Sequence, residues 1–231
     1  MNIDKKYYQE INENLTNTIQ DTNISAPNKK VGKVRDAYFL NDKVVMISTD
    51  RQSAFDRVLA AIPYKGAVLN SVSAWWFKKT EHLFPNHLIS TPDPNVSIVE
   101  KCTVFPVEFV VRGYITGTTD TSLWTVYNNG DREYCGNSLP EGLKKNDKLD
   151  KPMLTPTTKD KVHDRPVSRE EIIDLGLMSA EDYDLAAKMS LDLFAFGQET
   201  AKKNGLILVD TKYEIGTDSK GKIKFVDEIH T

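Results

Sequence analysis

An α+β fold is predicted for this chain of 231 residues by the order of its patterns. After one N-terminal helical segment the strand-like runs come early and the helices cluster late, with no regular strand–helix alternation. No internal repeat is present, and the length suits one large domain or two small lobes sharing a cleft.

Each element has a local reason. From Lys5 to Gln20, Tyr8, Ile11, Leu15 and Ile19 recur at spacings of three and four, which predicts an amphipathic helix. Asn23–Lys30 is a polar linker around Pro27. Val34–Leu40 and Lys43–Ser48 read as strands joined by a turn at Asn41-Asp42. Val68–Phe84 is helical in composition, and Trp75, Trp76 and Phe77 read as core packing. Ser97–Cys102 and Val104–Val111 are β-branched, apolar strands. Cys135–Pro166 is rich in Gly, Pro, Lys and Asp and lacks periodicity, so an irregular segment with a functional reason or high mobility is expected. Ser168-Arg169-Glu170-Glu171 fits a capping box. Ser179 opens a longer helix with Tyr183, Ala187, Ser190, Phe194, Gly197 and Ala201 on one face, stopped at Asn204-Gly205.

Composition excludes several classes. Lys+Arg 30 against Asp+Glu 33 leaves net −3, so bulk charge favours neither nucleic acid nor an anionic membrane. Cys102 and Cys135 are the only cysteines and have no metal-ligand or disulfide-framework spacing. Apolar runs fall short of a membrane span and the N-terminus is polar rather than signal-like, so a cytoplasmic location is the default.

Several short motifs place charge beside glycine. Gly32-Lys33-Val34-Arg35-Asp36 puts two cations around one apolar residue after a glycine, which suits a polyphosphate but also a simple turn into a strand. Neither GxxxxGK[ST] nor GxGxxG occurs. Ser48-Thr49-Asp50-Arg51-Gln52-Ser53-Ala54-Phe55-Asp56-Arg57 reads as a loop fitted to a zwitterion, with carboxylates for an amine and guanidinium for a carboxylate; a helix cap with a surface ion pair is the alternative. Pro63–Asn70 sets Lys65-Gly66 at a helix start. Val110–Thr118 sends Arg112 out of a strand into two glycines and hydroxyls, a cradle for phosphate or carboxylate or a capped strand end. Lys159 follows three threonines, and His163-Asp164 reads as acid–base chemistry or a loop contact. His82, His87 and His230 have no partners at ligand spacing.

Near the C-terminus, Asp210, Lys212 and Glu214 alternate and share one strand face. They follow the apolar run Leu206–Val209, taken as buried, beside which three ionisable groups are costly unless something binds them. A two-residue loop at Lys220-Gly221 sets Glu214 opposite Asp227, a carboxylate pair suited to Mg²⁺. A bulged turn at Gly221 shifts the register by one and separates them. A solvated edge hairpin accounts for the same charges.

Taken together and in order, GKVRD, STDRQSAFD, PYKGAVLN, EFVVRGYITGT, TPTTK, LILVDTKYEIG and VDEIHT closely resemble the phosphoribosylaminoimidazole-succinocarboxamide (SAICAR) synthase family, over about residues 30 to 231. The resemblance implies an ATP-dependent carbon–nitrogen ligase of purine biosynthesis. It joins L-aspartate to carboxyaminoimidazole ribonucleotide (CAIR) through an acyl phosphate, releasing ADP and phosphate. It implies two α+β lobes, residues 1–102 and 103–231, laid out like protein kinases and ATP-grasp ligases, with nucleotide between them. By the resemblance, Gly32, Lys33, Val34, Arg35 and Lys159 meet the ATP phosphates, and Glu100, Lys101 and Cys102 meet adenine through backbone. Glu214 and Asp227 match the Mg²⁺ ligands. Lys212 and Arg112 match catalytic positions and, with Thr118, hold the ribonucleotide. Asp50, Arg51 and Ser53 lie in the aspartate-binding loop. The partners implied are these small molecules, with homo-oligomerisation left open.

The sequence departs from the family twice. Tyr64 stands where many members have glycine. Members also continue past the DEIHT-like stretch with a Pro-Asp-Ser-Ser-Arg segment and helices that help bind substrate phosphate and aspartate. That absence raises the expectation of a C-terminally truncated chain, and with it the alternative of a nucleotide-binding fragment without full activity. A kinase-like small-molecule phosphotransferase is the other alternative.

Overall fold

The computed structural model describes residues 5–54, 57–159 and 164–231. His163, Phe55 and Asp56 lie outside these residues. The chain forms two compact units: one takes residues up to Lys79, His87–Lys101 and Thr231, the other Thr80–Asn86 and Cys102–His230.

In the first unit, α1 (Lys5–Glu13) precedes β1 (Lys29–Val31), β2 (Arg35–Phe39) and β3 (Lys43–Ser48). Next come β4 (Arg51–Ala54), β5 (Arg57–Ala61), α2 (Lys65–Thr80), β6 (Leu88–Asp93) and β7 (Val96–Glu100). An antiparallel sheet in the order β1-β2-β3-β7-β6 is the frame, and β4 and β5 form a separate two-stranded antiparallel sheet. Alternation along β2 and β7 buries Asp36, Tyr38, Ser97 and Val99.

The helix expected over Lys5–Gln20 stops at Glu13 and leaves Tyr7, Tyr8 and Ile11 exposed. Two causes are visible. The amides of Asn12 and Asn14 bond back to the carbonyls of Tyr8 and Glu10, a competition that weakens helices. Further on, Ile19 and Gln20 bond to Asp50 and Arg51, which holds them out of a helix.

Helix α2 starts three residues before the expected Val68, because the Asp50 carboxylate accepts the Gly66 N–H at 2.9 Å and caps it. A Cβ at position 66 would lie 2.3 Å from the Ser48 carbonyl oxygen, so only glycine fits between helix and strand. Of the three aromatics, Phe77 alone is core; Trp75 remains 50% exposed with Lys79 against its ring. Within the expected loop at 48–57, Arg51–Ala54 is a strand paired with Arg57–Ala61, and Thr49 and Asp50 lie outside any strand.

The second unit contains β8 (Thr103–Tyr114), α3 (Leu123–Asn128), β9 (Glu133–Tyr134), β10 (Asn137–Ser138), β11 (Lys148–Leu154) and β12 (Thr157–Thr158). It continues with α4 (Arg169–Asp174), α5 (Ala180–Lys203), β13 (Asp210–Thr217) and β14 (Ile223–Val226). The sheet order is β11-β8-β13-β14, with β12 also on β8. One sheet face is fully buried at Val107, Phe109, Val111, Tyr213 and Ile215. Helix α5 covers it, Phe109 meeting Tyr183 at 5.6 Å between ring centroids. A satellite cluster joins Ile115, Leu123, Tyr127, Leu139 and Leu149.

Both predicted caps form. Ser168 and Glu171 exchange the bonds of a capping box, and Ser179 accepts from the Asp182 N–H. The buried face of α5 runs through Tyr183, Ala186, Met189, Ser190, Leu193, Phe194 and Gly197, so Ala187 and Ala201 sit at its border. Over its described residues, the 135–166 segment is more regular than its composition suggests. Cys135 and Gly136, both at positive φ, close a two-residue hairpin between Tyr134 and Asn137. Strand β11 runs along the sheet edge with an irregular register, which erases the alternation a sequence pattern needs.

Tyr64 immediately precedes α2 with φ +63°, a left-handed conformation that a side chain strains. Tyr64→Gly is expected to stabilise the fold by about 1 kcal/mol. A rise of roughly 2–4 °C in the thermal unfolding midpoint would register it.

Candidate active site

Strands β8 and β13 pair with Glu108 opposite Glu214, Val110 opposite Lys212 and Arg112 opposite Asp210. Because side chains alternate along a strand, burying Phe109, Val111, Tyr213 and Ile215 forces these partners onto the other face. The result is a compact array of charge. The Lys212 ammonium donates to Glu108 Oε1 at 2.6 Å and to Glu214 Oε1 at 3.1 Å. Lys159, just past β12, donates to Glu214 Oε2 and lies 4.0 Å from Glu108. Beside it, Arg112 Nε donates to Thr155 Oγ1 at 2.9 Å, and its guanidinium lies 4.0 Å from Asp210.

The electrostatics are those of a crowded, half-buried quartet. Burial opposes the charge on Lys212, but the hydrogen bond to Glu108 and the charges of both carboxylates outweigh it and hold the ammonium far above its ordinary range. Burial likewise pushes Glu214 toward its neutral form. The Lys159 bond and the Lys212 charge overcome it, and the carboxyl is held below its usual value. Two cations thus neutralise two anions at rest, and each is available to a ligand of opposite sign.

Glu108 is central to this array and was missed among the site residues. Its signal was present: an acid within the apolar run Val107–Val111, four residues before Arg112 and so on the same strand face. The apolar run Leu206–Val209 is not the buried segment expected, since Leu206 and Ile207 are 65% and 70% exposed. The ionisable residues of β13 are constrained by Tyr213 and Ile215 on their own strand instead.

Of the two registers open to the last hairpin, the structure takes the one with a bulged turn at Gly221, which separates Glu214 from Asp227. Thr217 pairs with Ile223 and Glu214 with Val226, so Asp227 falls one residue beyond the partner of Glu214 and outside the strand. The turn explains the shift. Gly221, at φ +78°, donates its N–H to the Asp218 carbonyl, giving a bulged turn rather than a two-residue loop. The Asp218 carboxylate accepts the N–H groups of Lys222 and Lys220, which drops its pKa to about 2 and locks that turn. Among the described residues, no three His, Cys, Asp or Glu are placed to hold a metal ion by themselves.

The profile of the SAICAR synthetase family matches residues 28–231. A phosphoribosylaminoimidazole-succinocarboxamide synthase from Legionella pneumophila (strain Lens) is 58% identical over 213 residues, covering 92% of this chain and 68% of that one. The chain belongs to the SAICAR synthetase family. That family comprises the ATP-dependent carbon–nitrogen ligases that join L-aspartate to CAIR in purine biosynthesis.

A chloroplastic SAICAR synthase from Vigna aconitifolia is 54% identical over 222 residues, of whose length this chain spans 65%. Among solved structures, SAICAR synthase from Saccharomyces cerevisiae in complex with SAICAR superposes with TM-score 0.80 at 31% identity, covering 92% of this chain and 77% of that one. A SAICAR synthetase in complex with ADP gives TM-score 0.74 at 27% identity, covering 87% and 80%. The α+β class follows. Among the described residues, no helix is long and apolar enough to cross a membrane.

The remaining residues singled out by the synthetase resemblance are placed as follows. Gly32 and Lys33 are exposed, and Val34 and Arg35 are half-buried at the start of β2. The chain passes between the units at Lys101-Cys102. There the N–H groups of Glu100 and Lys101 donate to the carbonyls of His87 and Asp42. Thr118 lies exposed after β8. Ser53 is half-buried in β4. Asp50 is buried, and its two carboxylate oxygens accept the N–H groups of Ile19 and Gly66. Arg51 is buried against Asp36 at 2.7 Å.

The lowered value of Glu214 has a pH consequence. A depressed carboxyl contributes stability that is full above its ordinary value of 4.5 and is lost as pH falls through the lowered one. Glu214→Gln is therefore expected to show a shallower loss of stability than the parent as pH falls below 4.5. Urea unfolding across that range reads it.

Proposed function

We propose that this chain catalyses the ATP-dependent joining of L-aspartate to CAIR, giving SAICAR, ADP and phosphate. The observation that carries the reading is the Lys212–Glu108–Glu214–Lys159 array within a chain that matches the family over residues 28–231. A relative bound to SAICAR and another bound to ADP support the substrate classes.

The chemistry explains why such charge is needed. A carboxylate is a poor acyl donor because its oxygen leaves badly and its charge repels nucleophiles. Transfer of the ATP terminal phosphoryl group to a CAIR carboxylate oxygen gives an acyl phosphate and ADP. The aspartate amine then attacks the acyl carbon, the carbon–oxygen bond to phosphate breaks, and the amine proton is lost to base. Cationic side chains stabilise the anions that gather at each step. Lys159 and the Gly32–Arg35 segment would meet the nucleotide phosphates. Lys212, Arg112 and Thr118 would hold the ribonucleotide, and Glu100–Cys102 would line adenine. When phosphates draw Lys159 and Lys212 away, Glu108 and Glu214 are left uncompensated beside them.

Mg²⁺ fits that donor set. Two carboxylates lie on directly opposed strand positions, and the ion ordinarily takes one or two carboxylates with phosphate oxygens and waters. Glu214 would hold it together with Asp227, which follows the strand partner of Glu214, and Glu108 lies within the same array. Bound there, the ion would offset phosphate charge during transfer.

Incubation with ATP, Mg²⁺, CAIR and L-aspartate is expected to release ADP and free phosphate only when both other substrates are present. ADP release with phosphate retained on a stable acceptor would instead indicate a phosphotransferase, and ADP binding without turnover a nucleotide-binding fragment. Lys212→Met is expected to lower kcat by about 10²-fold or more with the fold intact by circular dichroism. Retained turnover in that variant would remove Lys212 from the mechanism.

A further inference from the structure

Arg51 makes contacts that do not suit a substrate-facing guanidinium. It is buried, and four of its five N–H donors are engaged. Nε donates to the Lys33 carbonyl at 3.1 Å, Nη2 to the Gly32 carbonyl at 3.1 Å and to Asp36 Oδ1 at 2.7 Å, and Nη1 to the Gln20 carbonyl at 2.5 Å. Thr49 completes the pattern, its N–H and hydroxyl both donating to the Val34 carbonyl, at 2.9 Å and 2.8 Å. Three successive carbonyls, those of Gly32, Lys33 and Val34, are therefore gripped from one side by the Thr49–Arg51 segment.

Asp36 fixes the guanidinium in turn. It has no solvent exposure, and its carboxylate also takes the Thr22 hydroxyl at 2.7 Å and lies 3.1 Å from Lys29. A buried carboxylate with these partners holds the fork in one orientation. The peptide bonds here are trans, so a carbonyl turned toward Arg51 turns the N–H of the next residue the other way. The N–H groups of Lys33 and Val34 accordingly face away from the anchor, on the opposite side of the segment. A run of backbone N–H groups beside a lysine is anion-binding geometry.

We infer that Arg51 is a positioning residue for nucleotide binding: through the Gly32 and Lys33 carbonyls it holds the Gly32–Arg35 segment in the conformation that receives the ATP phosphates, rather than binding L-aspartate itself. The inference rests on the proposed role of that segment, so the experiment separates the two.

ADP affinity is measured by calorimetry for the full chain, Lys33→Ala and Arg51→Lys, well below each unfolding midpoint, and KM for L-aspartate is measured in parallel. Lysine keeps the charge of Arg51 but cannot span the two carbonyls and Asp36 together. The expected result is ADP affinity weakened about tenfold in Arg51→Lys, with KM for L-aspartate within about twofold of the parent. If Lys33→Ala weakens ADP binding while Arg51→Lys leaves it unchanged, the positioning role is overturned and the phosphate-segment reading survives. If Lys33→Ala leaves ADP affinity unchanged, the phosphate-segment reading fails, and this inference with it. A raised KM for L-aspartate with normal ADP affinity in Arg51→Lys would also overturn the inference. Should Arg51→Lys not fold, Thr49→Val removes one bond of the same grip and is expected to weaken ADP roughly threefold; unchanged affinity there overturns the inference.

Discussion

The alternation of side chains along β8 and β13 is the constraint on which the site depends. Phe109, Val111, Tyr213 and Ile215 are driven out of water against α5, each contributing about 1.5–3 kcal/mol by burial. A strand cannot turn one residue without turning its neighbours. Glu108, Lys212 and Glu214 are therefore held on the opposite face, within hydrogen-bond reach of one another. The apolar core thus sets the geometry of the charges. Moving any one of them would require a register slip of its strand that exposes one aromatic ring and one aliphatic side chain, Phe109 and Val111 on β8 or Tyr213 and Ile215 on β13.

The charges of the first unit follow a different logic. Asp36, Asp50 and Arg51 are removed from solvent; Asp50 and Arg51 bond mainly to backbone groups, and Asp36 takes the side chains of Arg51, Thr22 and Lys29. Breaking one partner of such a set leaves a buried polar group unsatisfied, which costs more than the bond itself contributes. That gives these residues an architectural commitment: Asp50 ties residue 19 to the start of α2, and Arg51 ties residue 20 to the segment before β2.

Much of the fold was legible because it rests on local chemistry. The capping box at Ser168 and Glu171, the Ser179 cap and the Asn204-Gly205 stop are short-range bonds that any context permits. Strand β3 over Lys43–Ser48 coincides with its apolar pattern. The misses share a cause in contacts distant along the chain. The N-terminal helix ends early where residues 19 and 20 are claimed by Asp50 and Arg51, and β11 hides in an irregular pattern because its partner β8 supplies the order. Glu108 was overlooked because its meaning lies in Lys212, 104 residues away.

By itself, the sequence determined the α+β class and the family, since periodicity, caps and ordered motifs are properties of neighbours along the chain. Tertiary structure alone decided which charges face one another. The bulged turn at Gly221, stabilised by the Asp218 carboxylate, sets Asp227 out of register with Glu214, and the separate pairing of β13 with β8 sets Glu108 opposite Glu214. Such a choice depends on turn geometry and strand pairing summed over the whole sheet, and no local pattern encodes that sum.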